Sequence, residues 1–318
     1  MNLLVTGGAG FIGSHFVDLI LAETDHTVTV LDKLTYAGNL ENLAEHEGDA
    51  RVRFVRGDIA DADVTGPLVA EADRVVNFAA ESFVDRSIED SREFVLSNVL
   101  GAQVLLEACR GDGTPMLHVS TDEVYGSIVD GSFREGDPLL PNSPYAATKA
   151  AAELIARSYF VTYGLPVTTV RGANAYGPRQ HPEKAIPVYT AAALAGKPLP
   201  VYGDGSNRRE WLYVGDFARA VRTAMDLGQP GETYNIGGGH ELANLELAKR
   251  ICALAGAPES LIAFVEDRPG HDFRYAMVWD RLKGLGWEPA MPFDEGLATT
   301  VEWFRANPHR LKQRETVA

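Results

Sequence analysis

Residues 3–13 read Leu-Leu-Val-Thr-Gly-Gly-Ala-Gly-Phe-Ile-Gly, a short apolar run that leads directly into a glycine-rich loop. Gly7, Gly10 and Gly13 stand three residues apart, the spacing of an extended dinucleotide-binding loop. Glycine suits these positions because the chain turns tightly, approaches a pyrophosphate and packs a strand against a helix. The free N–H groups of the helix that follows would face the phosphates. The stretch therefore predicts a strand–loop–helix unit that binds a dinucleotide.

Two acidic residues near the ends of the next strands refine this prediction. Asp32 lies about 20 residues after the loop, where a carboxylate accepts hydrogen bonds from the adenosine ribose and repels a 2′-phosphate. NAD is therefore favoured over NADP, and Lys33 weakens this preference without reversing it. Asp58 fits either an adenine contact or the N-cap of the next helix.

The first half of the chain alternates short apolar runs with longer helical patterns. This alternation is typical of α/β proteins and predicts a Rossmann-type, doubly wound parallel sheet. The predicted strands are residues 3–6, 27–31, 52–55, 74–78, 116–120 and 167–170. The predicted helices are residues 11–23, 61–70, 93–109 and 144–163.

After about Arg171 the alternation of apolar runs and helical patterns ends, because proline and glycine residues interrupt it. We expect residues 1–171 to form an NAD-binding Rossmann domain, with part of 209–237 returning to it. Residues 172–318 are expected to form a smaller C-terminal substrate-binding lobe.

Composition narrows the classes of function. A net charge of −15, from 29 Lys and Arg against 44 Asp and Glu, argues against nucleic acid as a partner. Cys109 and Cys252 each lie in an apolar stretch, which favours free thiols in a reducing compartment. With no leader-like N-terminus and no long apolar run, we expect a cytoplasmic protein without a membrane span, and no metal site.

Two residue pairs carry the predicted chemistry. Tyr145 and Lys149 stand four apart near the start of a predicted helix, so they share one face. A lysine and a positive nicotinamide ring would lower the pKa of the tyrosine towards neutrality. Asp122 and Glu123 follow a predicted strand and converge on one ligand only if the chain has already turned. Their pKa values would then separate into those of an acid and a base.

Each pair also has a simpler interpretation. Tyr145 and Lys149 could be a surface pair, and Asp122 and Glu123 a solvated acidic loop. Pro144 favours a helix start that points Tyr145 and Lys149 at the carboxyl edge of the sheet, where doubly wound folds bind ligands. Together the four residues predict a redox step coupled to an elimination.

At the family level, the glycine loop, Asp32 and the Tyr145/Lys149 pair resemble the extended short-chain dehydrogenase/reductases that act on nucleotide sugars. Seven longer stretches are similar to the dTDP-glucose 4,6-dehydratases: residues 31–39, 79–82, 120–126, 182–184, 209–214, 234–237 and 268–272. The triplet Thr121-Asp122-Glu123 distinguishes them from sugar-nucleotide 4-epimerases, which lack the acid–base pair.

The resemblance implies a redox-neutral lyase that serves deoxysugar biosynthesis. Tyr145, assisted by Lys149, would take the 4-hydroxyl proton while C4 gives a hydride to NAD, and Thr121 would bond the same oxygen. Glu123 would remove the C5 proton, Asp122 would protonate the departing 6-hydroxyl, and the hydride would return to C6.

The family pattern also implies binding residues. The cofactor would contact Gly7, Gly10, Phe11, Ile12, Gly13, Asp32, Lys33, Thr35, Gly38, Asp58, Ile59, Ala79, Ala80, Ser82, Asn98, Ser120, Tyr145 and Lys149. The nucleotide sugar would contact Ser82, Thr121, Asn174, Glu183, Lys184, Pro200, Tyr202, Arg209, Asn244, Arg268, His271 and Tyr275. Tyr202 could instead be a core residue, and Arg209 could pair with Glu210 or Asp216.

Several positions depart from the family pattern near the expected sugar pocket: Phe83, the stretch 172–175, Arg179 and His181. They leave the exact hexose open, as well as the choice between thymidine and uridine. Competing functions are a 4-epimerase or decarboxylase, a UDP-hexose dehydratase, and a non-catalytic NAD-sensing protein. Apolar faces on residues 93–109 and 150–160 predict a homodimer, unless both simply pack on the sheet.

Overall fold

The computed structural model describes residues 1–311, and residues 312–318, the end of the expected C-terminal lobe, lie outside this description. The strands are β1 (Asn2–Thr6), β2 (Thr27–Asp32), β3 (Val52–Arg56), β4 (Arg74–Asn77), β5 (Met116–Thr121), β6 (Val167–Gly172), β7 (Asn174–Tyr176), β8 (Leu199–Tyr202), β9 (Arg208–Tyr213), β10 (Thr233–Ile236), β11 (His240–Ala243) and β12 (Ile262–Val265).

The α-helices are α1 (Phe11–Glu23), α2 (Ala62–Ala70), α3 (Val84–Glu89), α4 (Arg92–Phe94), α5 (Gly101–Asp112), α6 (Pro144–Tyr163), α7 (Ala185–Leu194), α8 (Val214–Leu227), α9 (Asn244–Ala255), α10 (Asp280–Gly284) and α11 (Phe293–Ala306). A π-helical segment covers Val95–Leu100. Turns of 3-10 helix cover Leu40–His46, Asp122–Tyr125, Glu259–Leu261 and Pro308–Leu311.

The central sheet of the described chain contains seven parallel strands in the order β10-β6-β5-β4-β1-β2-β3. Leu4 in β1 lies opposite Thr29 in β2 on one side and Val75 in β4 on the other. Strand order reverses between β1 and β4, so a crevice opens there at the carboxyl ends of the strands. The predicted doubly wound fold is confirmed.

Helices cover both faces of this sheet, which explains why its strands are apolar at consecutive positions. On one face, Phe16 and Ile20 of α1 pack with Phe217 and Val221 of α8. On the other face, Leu105 of α5 belongs to a second core with residues of α2 and α6. Each fully buried side chain of this kind contributes roughly 1.5–3 kcal/mol.

The predicted helix over residues 93–109 is interrupted. Its middle is the π-helical segment, and α5 continues to Asp112. The wide turns direct Asn98 inwards, where its side chain bonds the backbone of Glu81, while Val95 and Leu100 remain exposed. Sequence periodicity did not reveal this change of pitch because the same apolar positions suit an ordinary helix.

The second half of the chain adds elements to the sheet and beyond it. β10 pairs with β6 in the central sheet, whereas β11-β9-β7 and β12-β8 form smaller sheets. A third core under them joins Ile186 of α7, Leu247 of α9 and Leu297 of α11. Helices in residues 1–311 are all too short or too polar to cross a membrane.

Candidate active site

A cavity of about 450 Å³ runs from the glycine loop, across the carboxyl ends of β4 and β5, to the loops of the C-terminal half. Its size is typical of a small-molecule site. The predicted site residues line it, with the exception of Asn98. The fold thus brings together the glycine loop, the catalytic pairs Asp122-Glu123 and Tyr145/Lys149, and the loops after residue 172.

The glycine loop forms a close-packed cradle at one end of the cavity. Gly7 has φ of +69°, and a Cβ there would lie 2.6 Å from the backbone nitrogen of Ala79. A Cβ on Gly13 would collide with the carbonyl oxygen of Gly7. α1 begins at Phe11 with no acidic side chain in its first turn, so its N–H groups are available to a phosphate. These features fit the pyrophosphate of a dinucleotide.

Asp32 closes the same end of the cavity. Its buried carboxylate accepts hydrogen bonds from the backbone N–H groups of Ala9 (3.0 Å) and Leu34 (2.8 Å). Burial raises the pKa of Asp32, and these two hydrogen bonds oppose the rise. The carboxylate therefore holds the loop in shape and also lines the cavity.

Lys33 and Asp58 form an ion pair, with 2.7 Å between Nζ and Oδ2. Burial opposes the ionisation of Asp58, but hydrogen bonds from Lys33 and the Ala60 N–H outweigh it and lower the pKa of Asp58. The N-cap of α2 is Asp61, so the N-cap interpretation of Asp58 is wrong.

Asn98 lies behind the cavity wall. Its side chain accepts a hydrogen bond from the Glu81 N–H (2.8 Å) and donates to the Glu81 carbonyl (3.0 Å) and the Thr148 hydroxyl (2.9 Å). It therefore fixes the backbone after β4. Glu81 itself lines the cavity and was not among the predicted site residues.

Asp122 and Glu123 lie on a turn of 3-10 helix that begins where β5 ends. The Thr121 hydroxyl accepts a hydrogen bond from the Glu123 N–H (3.3 Å) and donates to an Asp122 carboxylate oxygen (3.1 Å). Because the chain has left the strand, both carboxylates face the cavity. Asp122 is 3% exposed, so the solvated-loop interpretation is wrong for it.

The two carboxylates differ electrostatically. Burial, followed by repulsion from Glu123 and Glu210, raises the pKa of Asp122 well above its usual range. Burial also raises the pKa of Glu123, but the nearby charges of Lys184, Arg268 and Arg209 oppose this rise. The pKa of Asp122 is therefore raised further than that of Glu123, which is the order that a general acid and a general base require.

Tyr145 and Lys149 are buried near the start of α6, so the surface-pair interpretation is wrong. Pro144 occupies the first turn, and the hydroxyl of Ser143, the N-cap, accepts a hydrogen bond from the Ala146 N–H. The Lys149 ammonium donates to the Val119 carbonyl of β5 at 2.7 Å. This bond ties the tyrosine–lysine helix to the strand that leads to Asp122.

The pKa values of this pair differ from expectation. Burial lowers the pKa of Lys149 to about 8, against the attraction of Glu153. Burial, together with Glu123 and Asp122, raises the pKa of Tyr145. The protein's own groups therefore shift the Tyr145 pKa in the direction opposite to the predicted lowering, chiefly through burial and then through Glu123.

Side chains from distant segments form the other end of the cavity. The Arg86 guanidinium makes two hydrogen bonds to Glu183, at 2.6 and 3.1 Å. Lys184 donates to the Ser82 carbonyl at 2.9 Å, and Arg268 pairs with Asp85 at 3.0 Å. The Glu183 carboxylate is therefore occupied by Arg86, although the residue lines the cavity.

The structure decides between the two interpretations of Arg209 and of Tyr202, as cavity residues or as an ion-pair partner and a core residue. Arg209 donates to the Asp272 carbonyl at 2.9 Å, and its guanidinium lies 4.5 Å from the centre of the Tyr275 ring. Among the described residues it has no ion pair with Glu210 or Asp216. Tyr202 is 36% exposed and lines the cavity, so it is not a core residue.

Two of the unusual positions contact each other. The Phe83 and His181 rings lie 4.9 Å apart, and the Lys184 ammonium lies 4.4 Å from the centre of the Phe83 ring. The His181 ring bonds the Tyr36 carbonyl and accepts from the Glu183 N–H. Burial lowers the pKa of His181 to about 4, so the ring is neutral. The sequence showed that Phe83 and His181 depart from the family pattern, but it could not show that the two side chains are in contact.

The fold and the cavity define a dinucleotide-dependent enzyme of the short-chain dehydrogenase/reductase class. The family model described as GDP-mannose 4,6 dehydratase matches residues 4–300. The chain belongs to this family of nucleotide-sugar dehydratases.

Relatives of known name agree with this assignment. The chain is 52% identical to a dTDP-glucose 4,6-dehydratase of Actinoplanes sp., over 96% of this chain and 98% of that one. It is also 52% identical, with the same coverage, to the low-salt glycan biosynthesis protein Agl12 of Haloferax volcanii. The crystal structure of DesIV, a dTDP-glucose 4,6-dehydratase from Streptomyces venezuelae with NAD and a second ligand bound, superposes with a TM-score of 0.95. It is 50% identical and covers 97% of this chain and 98% of its own.

Proposed function

We propose that the protein is an NAD-dependent dTDP-glucose 4,6-dehydratase, a hydro-lyase that forms dTDP-4-keto-6-deoxyglucose and water. The observation that carries this function is the buried Asp122-Glu123 turn, which shares one cavity with Tyr145, Lys149 and the glycine loop. The named relatives confirm the predicted activity and the predicted cofactor. We infer that the product enters deoxysugar biosynthesis.

The oxidation half of the reaction belongs to the pair on α6. NAD, when bound, would supply a hydride acceptor for C4 and a hydride donor for C6. Tyr145 would accept the proton of the 4-hydroxyl, and Thr121 would bond the same oxygen. Lys149 would contribute positive charge beside the phenol. Proton transfer to a positioned side chain of this kind contributes roughly 10²–10⁴-fold.

The elimination half belongs to the turn after β5. Glu123, where three cations oppose the rise in pKa caused by burial, would remove the C5 proton, which the C4 ketone has made acidic. Asp122, whose pKa burial raises well above its usual range, would give a proton to the departing 6-hydroxyl. The opposite electrostatic surroundings of the two carboxylates support this division of roles.

The remaining substrate roles are proposals supported by position in the cavity. Hexose contacts are proposed for Ser82, Asn174, Glu183 and Lys184, diphosphate contacts for Arg209, Asn244 and Arg268, and nucleoside contacts for Tyr202 and Tyr275. Pro200 and His271 are proposed as further substrate contacts. Because Arg86 occupies the Glu183 carboxylate, Lys184 is the better hexose contact of that pair.

We also propose a cofactor domain formed by residues 1–171 with part of 209–237, a sugar-binding lobe formed by the rest, and a cytoplasmic homodimer. Val95, Leu96 and Leu100 are at least 37% exposed, and Leu154 and Val161 of α6 are more than half exposed. Exposed apolar side chains on these elements support a subunit contact, and sedimentation at micromolar concentration tests it.

The test of the function is to incubate the protein separately with dTDP-glucose and UDP-glucose and to weigh the products. Loss of one water from dTDP-glucose is the expected result. An unchanged mass with rearranged stereochemistry would instead identify an epimerase. Bound NAD without turnover of either nucleotide sugar would favour the non-catalytic alternative.

A further inference from the structure

A buried polar cluster lies directly beneath the two catalytic pairs, formed by Arg171, Glu153, Tyr125 and Asn235. We call it the Arg171 cluster. Its members come from β6, α6, the 3-10 turn after β5, and β10. Each is at most 6% exposed, so the cluster is shielded from solvent.

Arg171 connects two elements that carry catalytic residues. It donates to one Glu153 carboxylate oxygen at 2.9 and 2.7 Å. It also donates to the Tyr125 hydroxyl at 2.7 Å. Glu153 lies one turn after Lys149 on α6, and Tyr125 ends the turn that begins with Asp122.

The Tyr125 hydroxyl is itself fixed. It donates to the Asn235 side chain at 2.8 Å, and its ring stacks on Phe133 with 4.7 Å between ring centres. A buried ion pair with such bonds holds its elements at a defined separation, because losing one partner leaves a buried charge unpaired. The other Glu153 oxygen has no hydrogen-bond partner within residues 1–311, so the pair depends on Arg171.

We propose that Arg171 is a positioning residue that sets the distance between the Asp122-Glu123 turn and the Tyr145/Lys149 helix through Tyr125 and Glu153. None of Glu153, Tyr125 and Asn235 lines the cavity, so the cluster acts through the catalytic groups and not on the sugar. This inference rests on the proposed function, since it assigns the two elements to successive halves of one reaction.

The decisive variant is Tyr125→Phe, which cuts the link to the turn and keeps the ion pair with Glu153. We expect C4 oxidation to proceed at a near-normal rate while water loss slows about tenfold. Oxidation alone is measured with dTDP-6-deoxyglucose, which has no 6-hydroxyl to lose, as NADH absorbance in a single turnover. Water loss is measured with dTDP-glucose by product mass over time.

Tyr176→Phe is the matched control. Tyr176 is equally buried, and its hydroxyl donates to the Phe293 carbonyl, but it lies outside the cavity lining. Removing this hydroxyl should lower the melting temperature by an amount similar to that in Tyr125→Phe, without changing the ratio of the two rates. Equal loss of both rates in Tyr125→Phe, with the ratio unchanged, would overturn the proposal.

Arg171→Lys is a second test, because lysine keeps the positive charge but lacks the planar guanidinium that bonds Glu153 and Tyr125 together. This variant should slow both C4 oxidation and water loss and should change the ratio of the two rates. Wild-type rates in this variant would contradict a positioning role. If the natural chain itself releases no water from dTDP-glucose, the proposed function fails and this inference with it. If the natural chain dehydrates normally and the ratio stays fixed in the variants, only the positioning role fails.

Discussion

The two ends of the cavity are built differently. At the cofactor end, closely packed main chain forms the site. Gly7 packs against the backbone of Ala79, and the Asp32 carboxylate accepts hydrogen bonds from the N–H groups of Ala9 and Leu34. At the sugar end, side chains from distant segments pair across the cavity, as Arg86 does with Glu183 and Arg268 with Asp85.

This difference predicts different responses to mutation. A backbone cradle tolerates no added atom at its closest approach, whereas a site of paired side chains can relax when one partner changes. Substitution should have its largest effect where the two ends of the cavity meet.

Tyr145→Phe should have the largest effect, because it removes the hydroxyl proposed to take the C4 proton. Turnover of dTDP-glucose should fall by roughly 10²–10⁴-fold, and no NADH absorbance should appear. Bound NAD should be retained, as measured after denaturing the purified protein. Normal NADH formation in this variant would contradict the assignment of Tyr145.

Gly7→Ala should break the cofactor end. The left-handed backbone costs a non-glycine residue about 1–2 kcal/mol, and the new Cβ would press on the backbone of Ala79. We expect bound NAD to fall more than tenfold. Gly66→Ala in α2 is the control, since its Cβ meets open space. That variant should keep its NAD and gain up to about 1 kcal/mol in stability.

Arg86→Met should break the sugar end less severely. The Glu183 carboxylate would lose two hydrogen bonds, and the loop that carries Lys184 would loosen. We expect kcat/KM for dTDP-glucose to fall about tenfold, a typical consequence of losing charged hydrogen bonds in a partly buried pair. Arg86→Lys should recover part of this loss. A fall in bound NAD instead of in kcat/KM would show that the two ends are not separable.

The smallest expected effect is a shift in pH dependence. The Lys149 pKa of about 8 means that its positive charge is present below that pH and is lost as the pH rises. C4 oxidation should therefore decline above about pH 8. Glu153→Gln removes the charge that opposes this lowering, so the decline should begin at a lower pH. The charge of Lys149 also acts on His118, and Arg171 forms an ion pair with Glu153. Arg171→Met therefore serves as the comparison for the lost ion pair.

The contrast between the two ends also explains what could be predicted from the sequence. The glycine loop and Asp32 lie within about 30 residues and encode local backbone geometry, so their arrangement follows from spacing. The Asp122-Glu123 turn and the Tyr145/Lys149 helix could be predicted because each follows a recognisable element.

Long-range pairing could not be predicted in this way. Nothing in the spacing of Arg86 and Glu183, or of Phe83 and His181, shows that they meet across the cavity. The direction in which the Tyr145 pKa shifts also could not be predicted from residue spacing, because the shift depends on burial and on carboxylates from another element. The π-helical segment at Val95–Leu100 was missed because its apolar pattern also suits an ordinary helix.

The most direct test of the account uses dTDP-glucose that carries deuterium at C4. Internal hydride transfer predicts a product that has lost one water and carries the deuterium in the new C6 methyl group, as read by mass spectrometry and NMR. A product of unchanged mass that keeps the deuterium at C4, or a dehydrated product that has lost the deuterium to solvent, would contradict the coupling of oxidation, elimination and reduction at one site.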